Sequence, residues 1–138
     1  MSEEENTAII KRIVALINER KLSQLAELTH PNFRRHDLAS ALPEVSGTDG
    51  PANLVQMVLR AIPDLRYEIQ QIVAKDDRVV VQLRGTGTHR GEFLGVAGTA
   101  KRMEWNAINI YRFEDGKIIE NWQLLDVWGL MRQMCQES

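Results

Sequence analysis

The 138-residue sequence holds one cysteine, Cys135, so no disulfide can form within the chain. That scarcity fits a reducing setting, and a cytoplasmic protein is expected. Cys135 falls at the frayed end of a predicted helix, a poor place for a nucleophile. Basic runs are missing as well: Arg34-Arg35 and Lys101-Arg102 are the largest clusters, and the net charge is -2. Neutralising phosphates dominates nucleic-acid affinity and calls for a basic stripe, so nucleic acid is not an expected partner. No apolar stretch approaches the ~20 residues that cross a bilayer. No basic region followed by an apolar run marks a signal peptide. Neither repeats nor a linker divide the chain, which reads as a single domain over residues 1–138.

What is present is the composition of a globular protein, 43% hydrophobic and 26% charged. A chain of this length buries roughly 68% of its unfolded surface, enough for a core. Ser2 and Glu5 have capping-box spacing, and Glu3 and Glu4 suit the positive end of a helix. Ile9, Ile10, Ile13, Leu16 and Ile17 then recur at helical spacing. Leu22, Leu25 and Leu28 predict a second short helix, ended by Pro31, and His36 to Gly50 reads as irregular chain. Pro51 starts a third helix whose stripe is Leu54, Met57, Val58, Ala61 and Ile62. The period then changes to two over Leu65–Val73, Val79–Thr88, Met103–Phe113 and Lys117–Leu125, and a last helix covers Val127–Met134. Helices segregated from strands predict an α+β fold.

Asp115-Gly116 is a two-residue hairpin signal. If Glu114 pairs with Lys117, Asn109 faces Trp122 and Trp105 faces Asp126, which puts these four on one sheet face. Ile108, Ile110, Asn121 and Leu125 fall on the other. A wall of large aromatics with an amide and a carboxylate suits a small-molecule pocket.

The stretch Gly116–Trp122, followed by Leu-Leu-Asp126-Val-Trp-Gly129-Leu-Met-Arg-Gln133, resembles the C-terminal signature of SnoaL-like polyketide cyclases. Thr88-His89-Arg90-Gly91-Glu92-Phe93-Leu94-Gly95 resembles the family's His-x-Gly-Glu-Phe-x-Gly segment, and His36-Asp37 its early His. The resemblance implies a cone-shaped nuclear transport factor 2-like fold (a cystatin-like α+β barrel), with N-terminal helices packed in a curved antiparallel sheet around an apolar pocket. Characterised members close rings in aromatic polyketides by an intramolecular aldol reaction without cofactor or metal. In them an Asp matching Asp126 acts as general acid/base, helped by pocket histidines. This sequence departs from the pattern at Val96–Ala100, which lacks prolines, and at Asn121, where a His is frequent.

Each candidate has a plainer alternative. Asp126 could carry proton transfer, since burial would raise a carboxyl pKa; it could equally cap the last helix. His89 and His36 could assist in the pocket or sit at the surface and in a loop. His30, before Pro31, reads as a helix C-terminal residue. Asn109 could stabilise an enolate oxygen or be a satisfied sheet amide. Trp105, Trp122 and Trp128 could line a pocket or pack a core. The histidines show no zinc-type pairing, so no metal is expected. The Gly85–Gly91 stretch lies inside a strand pattern, which argues against a phosphate loop. The expected protein is a cyclase-type enzyme, or alternatively a related isomerase or dehydratase, or a non-catalytic binder of a hydrophobic metabolite. Apolar residues on the outer sheet face suggest a homodimer.

Overall fold

In the computed structural model, which describes residues 2–136, the first helix begins with the capping box that its spacing predicts. The Ser2 hydroxyl accepts from the Glu5 amide at 3.0 Å, and the Glu5 carboxylate accepts from the Ser2 amide at 3.4 Å. Helix α1 (Glu3–Asn18) buries Ile10, Ile13, Val14, Leu16 and Ile17. The Leu22–Leu28 segment is a 3-10 helix that buries Leu25.

A strand, β1 (Thr29–Asp37), follows where the sequence suggested a helix end and irregular chain. Its inward residues include Phe33, Arg35 and Asp37. Two of these are charged, so the period-two pattern carries no apolar signal. Pro31 is tolerated because β1 lies at the edge of the sheet. His30 is thus a strand residue rather than a helix terminus.

Helix α2 (Gly50–Ala61) has its proline in the first turn, as expected. Strands β2 (Arg66–Lys75), β3 (Arg78–Thr88), β4 (Arg102–Glu114) and β5 (Lys117–Leu125) come next, and helix α3 (Val127–Cys135) closes the chain. The sheet order is β1-β5-β4-β3-β2. Its last three pairings are antiparallel as expected, whereas β1 runs parallel to β5. The fold is therefore α+β on a mixed five-stranded sheet.

The β4–β5 turn has positive φ at Asp115 (54°) and Gly116 (74°), the signature of a type I′ hairpin. Glu114 pairs with Lys117 and Phe113 with Ile118, but Arg112 pairs with Glu120, leaving Ile119 as a one-residue bulge. A bulge transfers every later side chain to the opposite face. Asn109 is consequently opposite Gln123, and Trp122 is opposite Ile110. The predicted shared face of Trp105, Asn109, Trp122 and Asp126 is corrected accordingly. Trp105 and Asn109 face inward with Asn121, Gln123 and Leu125, while Trp122 lies outside with Ile108 and Ile110.

Two apolar clusters fill the interior. One joins α1 to Phe33, Val79, Val81, Leu83 and Phe113. The other joins α2 and α3 to Leu65, Met103, Trp105 and Leu125. Trp105 lies flat against Gly85, where a Cβ would come within 2.4 Å of its indole. That contact explains the glycine inside β3. No helix among the described residues is long and apolar enough to cross a membrane.

Candidate functional site

The inner sheet face meets α1 and α2 around a cavity of about 70 Å³. Ile13, Ile17, Phe33, Leu54, Val55 and Leu83 form its apolar wall; Arg35, Asn109, Asn121 and Gln123 are its polar members, with Tyr67 and Tyr111 alongside. An adjoining cavity of about 30 Å³ shares Leu54, Val55, Tyr67 and Gln123 and reaches Trp105 and Leu125. A mostly apolar wall with a few convergent polar groups is the usual make-up of a small-molecule site.

Arg35 organises the polar side. It is 2% exposed, and its guanidinium donates to the Pro43 carbonyl at 3.0 Å, to Asp37 Oδ1 at 2.8 Å and to Gln123 Oε1. The other Asp37 oxygen accepts from the backbone amides of Ala41 and Leu42, so both carboxylate oxygens are engaged. These bonds also pin the segment after β1. Asn121 Nδ2 donates to Asn109 Oδ1 and to the Ile110 carbonyl, each at 3.2 Å. This fixes the Asn109 amide with its NH₂ directed away from Asn121. Two donors, Arg35 Nε and Asn109 Nδ2, are buried without a partner among the described residues. An unsatisfied buried donor costs about 1–3 kcal/mol. Burial pushes the Tyr67 and Tyr111 phenols up to about 12, and the nearby Arg35 charge only partly opposes this. Both phenols therefore remain protonated at neutral pH.

The expected site residues scatter. Trp105 is buried and lines the smaller cavity, and Asn109 is 1% exposed and lines the larger one. Trp122 stacks on His36 across the outer face, with centroids 5.4 Å apart and planes 22° apart. Arg78 lies over the same indole at 5.2 Å. His36 Nε2 is 2.9 Å from Glu120 Oε2, and Arg112 holds the other Glu120 oxygen at 2.6 Å. Burial pushes the Glu120 carboxyl up, but the hydrogen bonds from His36 and Arg112 outweigh it and hold the group below its ordinary value. His36 thus belongs to an outer-face cluster.

His89 is fully buried, yet both ring nitrogens are used locally: Nδ1 is 3.0 Å from Thr99 Oγ1 and Nε2 is 3.2 Å from the Val96 carbonyl. It ties down the loop between β3 and β4. Asp126 is exposed and caps α3, its Oδ1 accepting from the Gly129 amide at 2.9 Å. Gly129 leaves room for this cap, since a Cβ there would meet Asp126 Oδ2 at 2.2 Å. Trp128 is 74% exposed and lines neither interior cavity. Sequence reasoning missed Arg35 and Gln123. The charged inward positions of β1 hid the first, and the bulge concealed the second.

The comparisons with known proteins bear directly on this architecture. The description "SnoaL-like polyketide cyclase" matches residues 7–134. The chain belongs to the SnoaL-like polyketide cyclase family. Among its SnoaL-like relatives, aklanonic acid methyl ester cyclase AcmA of Streptomyces galilaeus is 27% identical over 134 residues, covering 94% of this chain and 90% of that protein. Aklanonic acid methyl ester cyclase DnrD of Streptomyces peucetius is 25% identical over 128 residues, covering 91% and 88%. The crystal structure of AclR from Streptomyces galilaeus, described as a candidate hydroxylase, superposes with a TM-score of 0.84 at 32% identity, over 99% of this chain and all of that one.

Proposed function

We propose that this SnoaL-like protein takes a carbonyl-bearing, polyketide-like compound into the interior cavity between α1, α2 and the inner sheet face. The observation that carries the reading is the buried polar group of Arg35, Asn109, Asn121 and Gln123 set into an otherwise apolar wall. Pockets that hold drug-sized ligands measure roughly 300–1,000 Å³, so a fused-ring ligand needs this cavity of about 70 Å³ to widen.

The names of AcmA and DnrD favour a ring-closing reaction of the aldol type on such a ligand. The lining itself favours a second reading, binding without turnover. It contains neither carboxylate nor histidine among the described residues, and the adjacent Asp37 has both oxygens engaged. Asp126 lines an exterior cleft with Ala107, Leu125 and Trp128 and neither interior cavity, so an acid/base role for it requires ligand on that side or a rearrangement. A thermal-shift panel of flat aromatic and polyketide-like compounds on wild type and Asp126→Asn, followed by turnover assays of the hits, tests both readings. Stabilisation by one chemical class supports the pocket, and absence of any stabilisation across the panel contradicts it.

A homodimer through the outer sheet face belongs to the same proposal. Val80, Ile108 and Leu124 are exposed there, and Trp122 and Ile110 are half-buried beside them.

A further inference from the structure

The orphaned donors say what kind of atom the cavity wants. Arg35 Nε and Asn109 Nδ2 belong to side chains that are at least 98% buried, and both side chains line the larger cavity. Every other polar group in that lining is a protonated phenol or an amide: Tyr67, Tyr111, Asn121 and Gln123. No oxygen of the lining reaches either donor, the Asn121 carbonyl oxygen and the two phenols included. Gln123 Oε1 accepts from Arg35, Asn109 Oδ1 accepts from Asn121, and both Asp37 oxygens are held. The wall therefore holds two stranded donors that its own acceptors do not reach. Buried donors of this kind find partners in native proteins with few exceptions.

We propose that the cavity is an oxyanion seat, which binds its ligand through an enolate- or phenolate-type oxygen received by Arg35 Nε and Asn109 Nδ2. The proposal rests on reading the cavity as the ligand site, and it narrows the ligand to compounds with an acidic enol or phenol, such as 1,3-dicarbonyls and hydroxyaromatics. Preorganised donors in a water-poor site are worth more to an anionic oxygen than to a neutral one. The lining offers no base, so the ligand's O–H bond breaks with its proton passing to solvent, and the electron pair stays on the oxygen the donors receive. A neutral ether offers those donors only a weak, uncharged acceptor.

The test uses 4-nitrophenol, which reports its ionisation by absorbance, and 4-nitroanisole, its neutral methyl ether. Both are titrated into the full chain, followed by Trp105 fluorescence in a Trp122→Phe/Trp128→Phe background and by nitrophenolate absorbance over a pH series. The expected result is at least a tenfold preference for nitrophenolate over protonated nitrophenol, seen as a fall of one unit or more in the probe's apparent pKa on binding, and weaker binding of nitroanisole. Asn109→Leu removes most of that fall while nitroanisole still binds. Arg35→Lys keeps a cation beside Asp37 but deletes the orphaned N–H, and it shrinks the fall too; a cooperative melting transition, even at a lower temperature, certifies each variant as folded. Equal affinity for the two probes, or an unshifted or raised apparent pKa, overturns the oxyanion seat and leaves the pocket standing. Failure of both probes to bind overturns the pocket reading and the seat together. If one variant does not fold, the other decides the matter.

Discussion

Replacing Asp126 separates a structural carboxylate from a chemical one. Its Oδ1 accepts from the Gly129 amide at 2.9 Å, and its backbone carbonyl accepts from Leu130 at the start of α3. Asp126→Ala deletes the exposed side-chain acceptor and leaves the Gly129 amide without its partner. Cap losses of this kind cost typically about 1 kcal/mol within a range of 0.5–2. For a chain of this size that lowers Tm by roughly 2–4 °C. Asn caps about as well as Asp, so Asp126→Asn should melt within a few tenths of a kcal/mol of wild type. Differential scanning calorimetry at neutral pH measures both, and a turnover assay on any hit compound follows. The reasoning is refuted if Asp126→Asn is as destabilised as Asp126→Ala. It is refuted just as firmly if Asp126→Asn melts like wild type and has lost all turnover, which would return the acid/base role to this residue.

Three further outcomes follow from the geometry. Gly85→Ala drives a Cβ into the Trp105 indole at 2.4 Å, and overpacking of this kind costs about 1–3 kcal/mol; urea unfolding should show it, and Gly85→Ala with Trp105→Leu should recover part of the loss. Glu120 is held below its ordinary value of 4.5, so it adds stability above that pH and loses the contribution as pH falls through its lower folded value. Glu120→Gln should accordingly be less stable than wild type at pH 7, with the gap closing on acidification below about 4.5; a gap that widens there is the wrong sign. If the outer sheet face pairs two copies, Ile108→Lys with Leu124→Lys should turn a dimer into a monomer by light scattering while far-ultraviolet circular dichroism stays unchanged.

The elements with apolar periodicity were the legible ones. Ser2 and Glu5 announce α1, the prolines bound α2, and Asp115-Gly116 marks the hairpin turn within a residue. β1 escaped because its inward positions include Arg35 and Asp37, whose burial is made possible by each other and by amides from a segment far from helical or strand pattern. The site was misread for a different reason. Trp105 and Asn109 lie on the inner sheet face that the hairpin register predicts for them, but one bulged residue, Ile119, moves Trp122 outward and brings Asn121 and Gln123 inward. No local propensity distinguishes Ile119 from its neighbour Ile118, since both are buried and β-branched. The histidines carried family resemblance without indicating their surroundings: His36 is on the outer face, and His89 spends both nitrogens on its own loop.

The central claim is that ligand enters the cavity bearing Arg35 and Asn109. The three tryptophans report on it independently, because Trp105 lines the interior, Trp122 lies on the outer face and Trp128 projects from α3. Titrating 1,8-dihydroxyanthraquinone into ¹⁵N-labelled protein and following the indole and side-chain amide resonances tests it directly. The account predicts movement of the Trp105 indole and of the Asn109, Asn121 and Gln123 amides, with Trp128 unmoved. Shifts confined to Trp122 or Trp128, with the three amides still, would contradict it.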